Sequence, residues 1–344
     1  MPVPDGATVR LATPVLAAGI AATLAVLSWY ALATETAERA AFVPLLIGMF
    51  FLGLPHGALD HRVPARMGVE WGRRPASLAL FLGGYVGLAA AYLWLWTIAP
   101  VVAFVGFLVA TVVHWGQGDI DFLERFLGRR RAGIGGHLAA VLLRGALPVT
   151  IPVLVQPEVA EGLLTAAVSA IGATVAGGLD LSAPAVRWGL SAPVLALAGA
   201  YLAGLRHAWP GRRGRAVDVG EVLLLVVLFA WVPAYLAIGT YFLAWHSLRH
   251  LARLLLLRDE ERRAVAGGNL RGPVLRLARD LTPITLIALA FLVALTAWAG
   301  PRIEGLGGFV ALYLVWISAL TMPHLALVAW MDHGAVRHRG HARC

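Results

Sequence analysis

Two histidines stand four residues apart in the string Tyr241-Phe-Leu-Ala-Trp-His246-Ser-Leu-Arg-His250, at the end of a long apolar run. On an α-helix, residues i and i+4 share a face, one turn apart. That spacing lets one helix offer two imidazoles to one metal ion, and a histidine inside an apolar segment points to function. Three other apolar segments carry a histidine near one end: Leu54-Pro-His56-Gly-Ala-Leu-Asp60-His61, Val113-His114-Trp-Gly-Gln-Gly-Asp119 and Met322-Pro-His324. Neutral imidazole is a common ligand for divalent iron, zinc and copper. Several imidazoles without a carboxylate leave such an ion its full charge, and open positions can accept oxygen. Taken singly, each histidine has a plainer reading as a buried ring bonded to a backbone carbonyl.

Whether these residues meet depends on the elements that carry them. The chain is 59% hydrophobic and 14% charged, against about a quarter charged in soluble domains. Leu11–Ala33, Ser77–Phe107 and Leu281–Ala299 are each long enough to cross a hydrocarbon core of about 30 Å. The expected fold class is all-α: one polytopic membrane bundle of about ten transmembrane helices. The spans fall near 11–33, 41–60, 76–98, 100–118, 137–156, 189–205, 219–232, 235–256, 281–299 and 307–331, with a basic cytoplasmic tail at 333–344. Pro233 divides the run 219–256 into two helices. Residues 159–178 are an interfacial or partly re-entrant stretch, and 271–279 are either a basic amphipathic surface helix or a loop. Ala31-Leu-Ala33 resembles a signal cleavage site. The stretch before it is long for a signal peptide and more spans follow, so it is read as a retained span.

The net charge is +9 and every Lys/Arg position is arginine. No nucleic-acid motif accompanies this charge, so nucleic acid is not an expected partner. Arginines cluster at Arg62–Arg74, Arg125–Arg131, Arg206–Arg215, Arg253–Arg279 and Arg337–Arg343, and the loops between are poor in them. The positive-inside rule then puts both termini and the arginine-rich loops in the cytoplasm, in a multi-pass protein of the inner (cytoplasmic) membrane. Cys344 is the single cysteine, so there is no disulfide framework.

This map brings His56, His114, His246, His250 and His324 to one side of the bilayer at comparable depth. His61 lies about 140° round a continuing helix from His56 and faces elsewhere. His137, His207, His333, His338 and His341 read as solvated or headgroup-facing. Asp60, four residues after His56, is placed to accept an imidazole N–H and fix a tautomer, as carboxylates beside metal ligands do. Asp119 stands in a similar place for His114 or another ligand. Ion pairs with Arg62 and Arg125 are the plainer alternative for these carboxylates. Gly57, Gly116 and Gly118 permit close helix approach.

Pro55-His-Gly-Ala-Leu-Asp60, His114-Trp-Gly with Asp119, the Tyr241–His250 string and Pro323-His324, in this order and spacing, resemble the Brp/Blh family of bacterial and archaeal β-carotene 15,15′-dioxygenases. The resemblance runs from about residue 40 to residue 333, and the Tyr-Phe-x-x-Trp-His-Ser-x-Arg-His string is its most specific part. It implies an integral-membrane enzyme with one non-haem Fe(II) per chain, which cleaves the central double bond of β-carotene with O2. The two retinals formed would supply a retinal-binding microbial rhodopsin. The iron ligands it implies are His56, His114, His246 and His250; His324 fits a family motif but is not made a ligand.

A polyene dissolved in the lipid bilayer would need an apolar tunnel, for which Trp115, Tyr241, Phe242, Trp245 and Trp330 are candidates. Their other reading is ordinary helix packing or an interfacial aromatic belt. Rival readings are weaker. A membrane di-iron hydroxylase or desaturase wants adjacent His-His pairs, and none exists. An intramembrane zinc protease wants Glu within its histidine pair, where this chain has Ser247, Leu248 and Arg249. A haem-binding protein or a transporter is the non-enzymatic alternative, and the apparent scarcity of deep acids lowers proton-coupled transport.

Overall fold

Apolar segments in lipid must satisfy their backbone internally, and helices do so along a single segment. The computed structural model describes residues 5–66, 69, 74–174 and 180–341, without the side chains of His56 and of residues 332–341. Those residues are helical throughout their ordered elements, with no strand among them. Among the described residues, eight helices are long and apolar enough to cross a membrane: Gly6–Leu32, Thr34–Gly53, Pro75–Ile98, Pro100–Phe126, Gly133–Val155, Pro184–Ala208, Arg271–Arg302 and Gly305–Met331. Large apolar side chains stand exposed along them, including Leu80, Trp94, Val102, Leu286 and Val293, as lipid-facing residues must. This is a polytopic helical membrane protein.

Local chemistry sets the helix boundaries. Asp5 caps the first helix by accepting from the Thr8 N–H at 2.9 Å. Pro75 and Pro184 occupy first-turn positions, where a missing N–H costs nothing. Pro233 ends one helix, Arg212–Trp231, and caps the next, Ala234–Tyr241. Gly128, at φ +77°, closes Pro100–Phe126 with the Arg129 N–H bonded back to the Leu123 carbonyl, a left-handed helix cap.

Two expectations need correction. The fourth span does not stop at residue 118 but runs on to Phe126. The basic stretch 271–279 is no separate surface helix; it is the start of the helix Arg271–Ala299. The expected spans at 219–232 and 235–256 are helical but fall outside the eight. The helix over the first, Arg212–Trp231, carries Arg215, Asp218 and Glu221, and the second contains a π-helix at Phe242–Ser247. A second π-helix, Gly48–Gly53, precedes the short helix Leu54–Gly57. Within 159–178, Pro157–Ala170 is a helix and residues 175–179 lie outside the description. Of the basic tail, the helix continues to His341, while its side chains and residues 342–344 lie outside the description.

The chain divides into two compact units. The first comprises Met1–His56, Thr111–Gly162 and Gly178–Leu277. The most buried of its long apolar helices is Gly133–Val155, packed against Pro184–Ala208 and Arg212–Trp231. Gly116 and Gly145 let the helix backbones of Pro100–Phe126 and Gly133–Val155 touch. A methyl on either glycine would collide with a carbonyl of the other helix, Val141 or Val112. The second unit comprises Gly57–Ala110, Leu163–Gly177 and Ala278–Cys344. In it Pro75–Ile98 packs along the last helix, and the Trp96 indole N–H donates to Ser318 Oγ at 2.8 Å.

Candidate metal centre

His114 lies on Pro100–Phe126, His246 in the π-helix Phe242–Ser247 and His250 on Leu248–Leu255. All belong to the first unit and are nearly inaccessible, at 3, 4 and 5% exposure. The His114 and His246 ring centroids are 4.9 Å apart, and His250 lies 6.5 Å from each. The wide π-turn places His246 against the neighbouring helix: a methyl on Gly118 would sit 3.8 Å from His246 Cε1 and Nδ1. Such turns are rare and recur at functional sites. The backbone of His56 belongs to the same unit, on Leu54–Gly57 directly after the other π-helix, and its side chain lies outside the description.

Aromatic rings surround the cluster. Phe242 stacks on His246 at 5.9 Å and 10°, and Trp115 lies 5.6 Å from His246, 6.0 Å from Phe242 and 5.2 Å from Tyr241. Phe242 fits only because residue 53 is glycine; a methyl there would lie 2.5 Å from Phe242 Cε1. Tyr241 and Trp245 are fully buried. Trp245 donates its indole N–H to Thr23 Oγ1 at 2.9 Å. Trp330 belongs to the second unit and is 37% exposed.

The two candidate orienting carboxylates have partners that the spacing did not suggest. Asp119 accepts from guanidinium groups, Arg144 Nε at 2.9 Å and Arg249 Nη1 at 2.7 Å. Arg125 pairs instead with Asp121 at 2.5 Å. Asp60, in the second unit, accepts from His324 Nδ1 at 2.8 Å and from the Tyr85 hydroxyl at 2.9 Å. A carboxylate on Nδ1 selects the tautomer that carries its lone pair on Nε2. Of the histidines read as solvated, His207 is exposed, but His137 is half-buried and bonded to Glu124 Oε1 at 2.9 Å. His61 bonds the Ala58 carbonyl through Nδ1; its burial, with Arg62 adjacent, pushes its pKa below the usual value.

Sequence reasoning missed the partners of Asp119. Arg144 also bonds Asp218 Oδ1 at 2.7 Å and Glu221 Oε2, and Arg249 bonds Glu221 Oε1 at 2.5 Å. Asp218 takes further bonds from the Tyr201 hydroxyl at 2.5 Å and the Trp209 indole at 2.6 Å, with Arg129 Nε 3.5 Å away. Deep acids are therefore present, each matched to an arginine. The available signal was Arg144, a lone charge in an apolar span that must find a partner.

The histidines suit a divalent cation in donor chemistry: they are buried nitrogen donors, and the adjacent carboxylates are engaged by arginine. Metal–nitrogen bonds of about 2.1 Å set two imidazole centroids on one ion about 4.5–5.5 Å apart. His114 and His246 meet that spacing at 4.9 Å, and His250 lies outside it at 6.5 Å from each. Among the described residues alone, no group of three donors closes a ligand shell; His56 is the fourth donor the motif implies.

The fold and this cluster define a class: a multi-span helical membrane protein with imidazoles gathered inside one helical unit. A family model described as β-carotene 15,15′-dioxygenase matches residues 47–332, and the chain belongs to that family. It is 37% identical to a probable β-carotene 15,15′-dioxygenase, Blh, of Halobacterium salinarum, over 94% of this chain and 93% of the relative. It is 29% identical to a probable β-carotene 15,15′-dioxygenase, Brp, of the same organism, over 83% of this chain and 82% of that protein. It is 26% identical to a β-carotene 15,15′-dioxygenase of an uncultured marine bacterium, over 59% of this chain and 65% of that protein. No solved structure matches the chain.

Proposed function

We propose that this protein is an iron(II)-dependent oxygenase that cleaves the central 15,15′ double bond of β-carotene with O2. Each carbon of that bond becomes an aldehyde, so one polyene and one O2 give two retinals. The observation that carries the reading is the set of buried imidazoles of His114, His246 and His250, packed against Trp115 and Phe242, in a chain of this family.

His114, His246 and His250, with His56, would hold the iron. When bound, it supplies the redox chemistry by which O2 reacts with a closed-shell polyene. The protein's part is positional. The faces of Trp115 and Phe242 beside His246 give a rigid hydrocarbon apolar surface to lie against, and burial keeps water from the cluster. Which double bond is cut follows from which part of the chain is held against the imidazoles. Asp119 and Glu221, bound by arginine, need take no part as acid or base. A lipid-dissolved substrate reaches a site on membrane helices without extraction. We place the protein in the cytoplasmic membrane with its arginine-rich loops inside, where its product can supply a retinal-binding rhodopsin.

Expression in a β-carotene-accumulating bacterium tests this reading. Retinal should appear as the orange colour fades, His246→Ala should abolish both changes, and the purified protein should carry one iron per chain. Unchanged carotene at normal protein levels would overturn the assignment.

A further inference from the structure

Arg249 lies between His246 and His250, and Asp119 follows His114 on its own helix. Their bond, Arg249 Nη1 to Asp119 Oδ1 at 2.7 Å, therefore joins the two chain segments that carry the clustered imidazoles. We propose that Arg249 and Asp119 form a positioning clamp that sets the spacing of His114 against His246 and His250 for the metal. This rests on the proposed histidine-held iron.

The clamp is built to hold one geometry. The Arg249 guanidinium is wedged between two rings, 4.6 Å from the Phe122 centroid and 4.5 Å from that of Trp245. Phe122 belongs to the His114 helix, and Trp245, adjacent to His246, is itself held by Thr23. The other nitrogen of the fork, Nη2, reaches Glu221 Oε1 at 2.5 Å, so its plane is fixed at both ends. Arg144 closes the arrangement by bonding the remaining oxygen of each acid, Asp119 Oδ2 and Glu221 Oε2. A planar guanidinium fixes direction as well as charge, which a lysine ammonium does not.

Buried ion pairs are a poor source of stability, since well-packed apolar residues of similar volume do as well or better. Their use here is register. A methyl on Gly118 would reach van der Waals contact with the His246 ring, and Asp119 is the next residue. A slip of one segment past the other would change the distance between His114 and His246. The clamp also occupies both oxygens of Asp119 and of Glu221. While it is closed, these acids are held on arginine and the donor set beside them stays imidazole.

The test uses the full-length protein in detergent, stripped of metal and titrated with Co(II), whose visible bands report ligand geometry. Wild type should bind one Co(II) per chain. Arg249→Lys keeps the charge but loses the fork. It should weaken Co(II) by about 10- to 100-fold, the usual effect of losing a group that orients metal ligands, and should shift the visible bands. Asp119→Asn should do the same. A lowered melting temperature with unchanged Co(II) affinity and spectrum in the folded fraction would make these residues merely structural and overturn the clamp. Wild type that binds no Co(II) would sink the histidine-held metal, and the clamp with it. If Arg249→Lys does not accumulate, Phe122→Leu removes one face of the guanidinium stack while leaving every charge. It should weaken Co(II) several-fold, and an unaltered spectrum there would count equally against the clamp.

Discussion

Each unit buries an aspartate that follows a histidine closely in sequence, and the two have opposite partners. In the second unit Asp60 receives an imidazole and a phenol, His324 at 2.8 Å and Tyr85 at 2.9 Å. In the first, Asp119 receives two guanidinium groups and its bonds fasten helices to one another. The same signal, an acid four or five residues after a histidine, thus has two physical outcomes. The deciding factor is distant in sequence: an arginine delivered by another helix outcompetes imidazole for a carboxylate, because it is always charged and offers a fork of donors. The His246 ring packs against Trp115 and Phe242, and at His324 a hydrogen bond to Asp60 helps set the ring.

The strongest way to break the comparison is to remove the arginine that serves three acids. Arg144 is fully buried and bonds Asp119, Asp218 and Glu221. Arg144→Met fills much the same space but leaves these carboxylates short of a partner in a dry environment. Breaking a buried pair in this way costs about 3–5 kcal/mol, enough to remove most folded protein. Thermal unfolding and yield in detergent would read it; a variant of near-normal stability would mean that the acids find other partners.

The corresponding change in the second unit should be milder. Asp60→Asn keeps the shape and removes the charge that His324 and Tyr85 address. A hydrogen bond to a charged group contributes about 1.5–3 kcal/mol, so a lowered melting temperature with the fold retained is expected. Iron should stay at one per chain. Loss of iron in this variant would tie Asp60 to the metal through His56 or His324 and erase the distinction between the two aspartates.

Much of this was legible in the sequence because it is local. Hydropathy sets the apolar helices, Pro233 marks a break, and the His-Ser-Leu-Arg-His string marks the chemistry. What stayed hidden is long-range. Nothing near Asp119 announces that Arg249, 130 residues away, will bind it, and Asp218 and Glu221 flank the start of the expected span 219–232 with no local sign of a partner. The helix Pro100–Phe126 continues beyond residue 118 because Asp119, Asp121 and Glu124 meet arginines in the fold, which hydropathy alone does not foresee. The π-helices escaped for a different reason. A period of 3.6 was assumed throughout, and the widening at Phe242–Ser247 and Gly48–Gly53 has no compositional mark apart from glycines that admit Phe242.

The sharpest control on the buried clamp is an aspartate–arginine pair of the same length in the open. Asp5 and Arg262 meet at 2.7 Å, as Asp119 and Arg249 do, but their side chains are 43 and 45% exposed, against 1 and 2%. Exposed pairs contribute about 0–1 kcal/mol and are weakened by salt, so Arg262→Ala should be nearly silent. Asp5→Ala should cost about 1 kcal/mol, because it also removes the helix cap on the Thr8 N–H. Partial burial raises the Asp5 pKa, but the Thr8 bonds and Arg262 outweigh it and hold the carboxyl at about 2, against an ordinary 3.8. As pH falls, the unfolded chain takes up the proton first, so the contribution of Asp5 is complete above pH 3.8 and lost towards pH 2. The melting-temperature gap between wild type and Asp5→Ala should therefore close over that interval. A gap at Asp5 that survives below pH 2 would assign the loss to packing of the first turn and leave the charge without a role there.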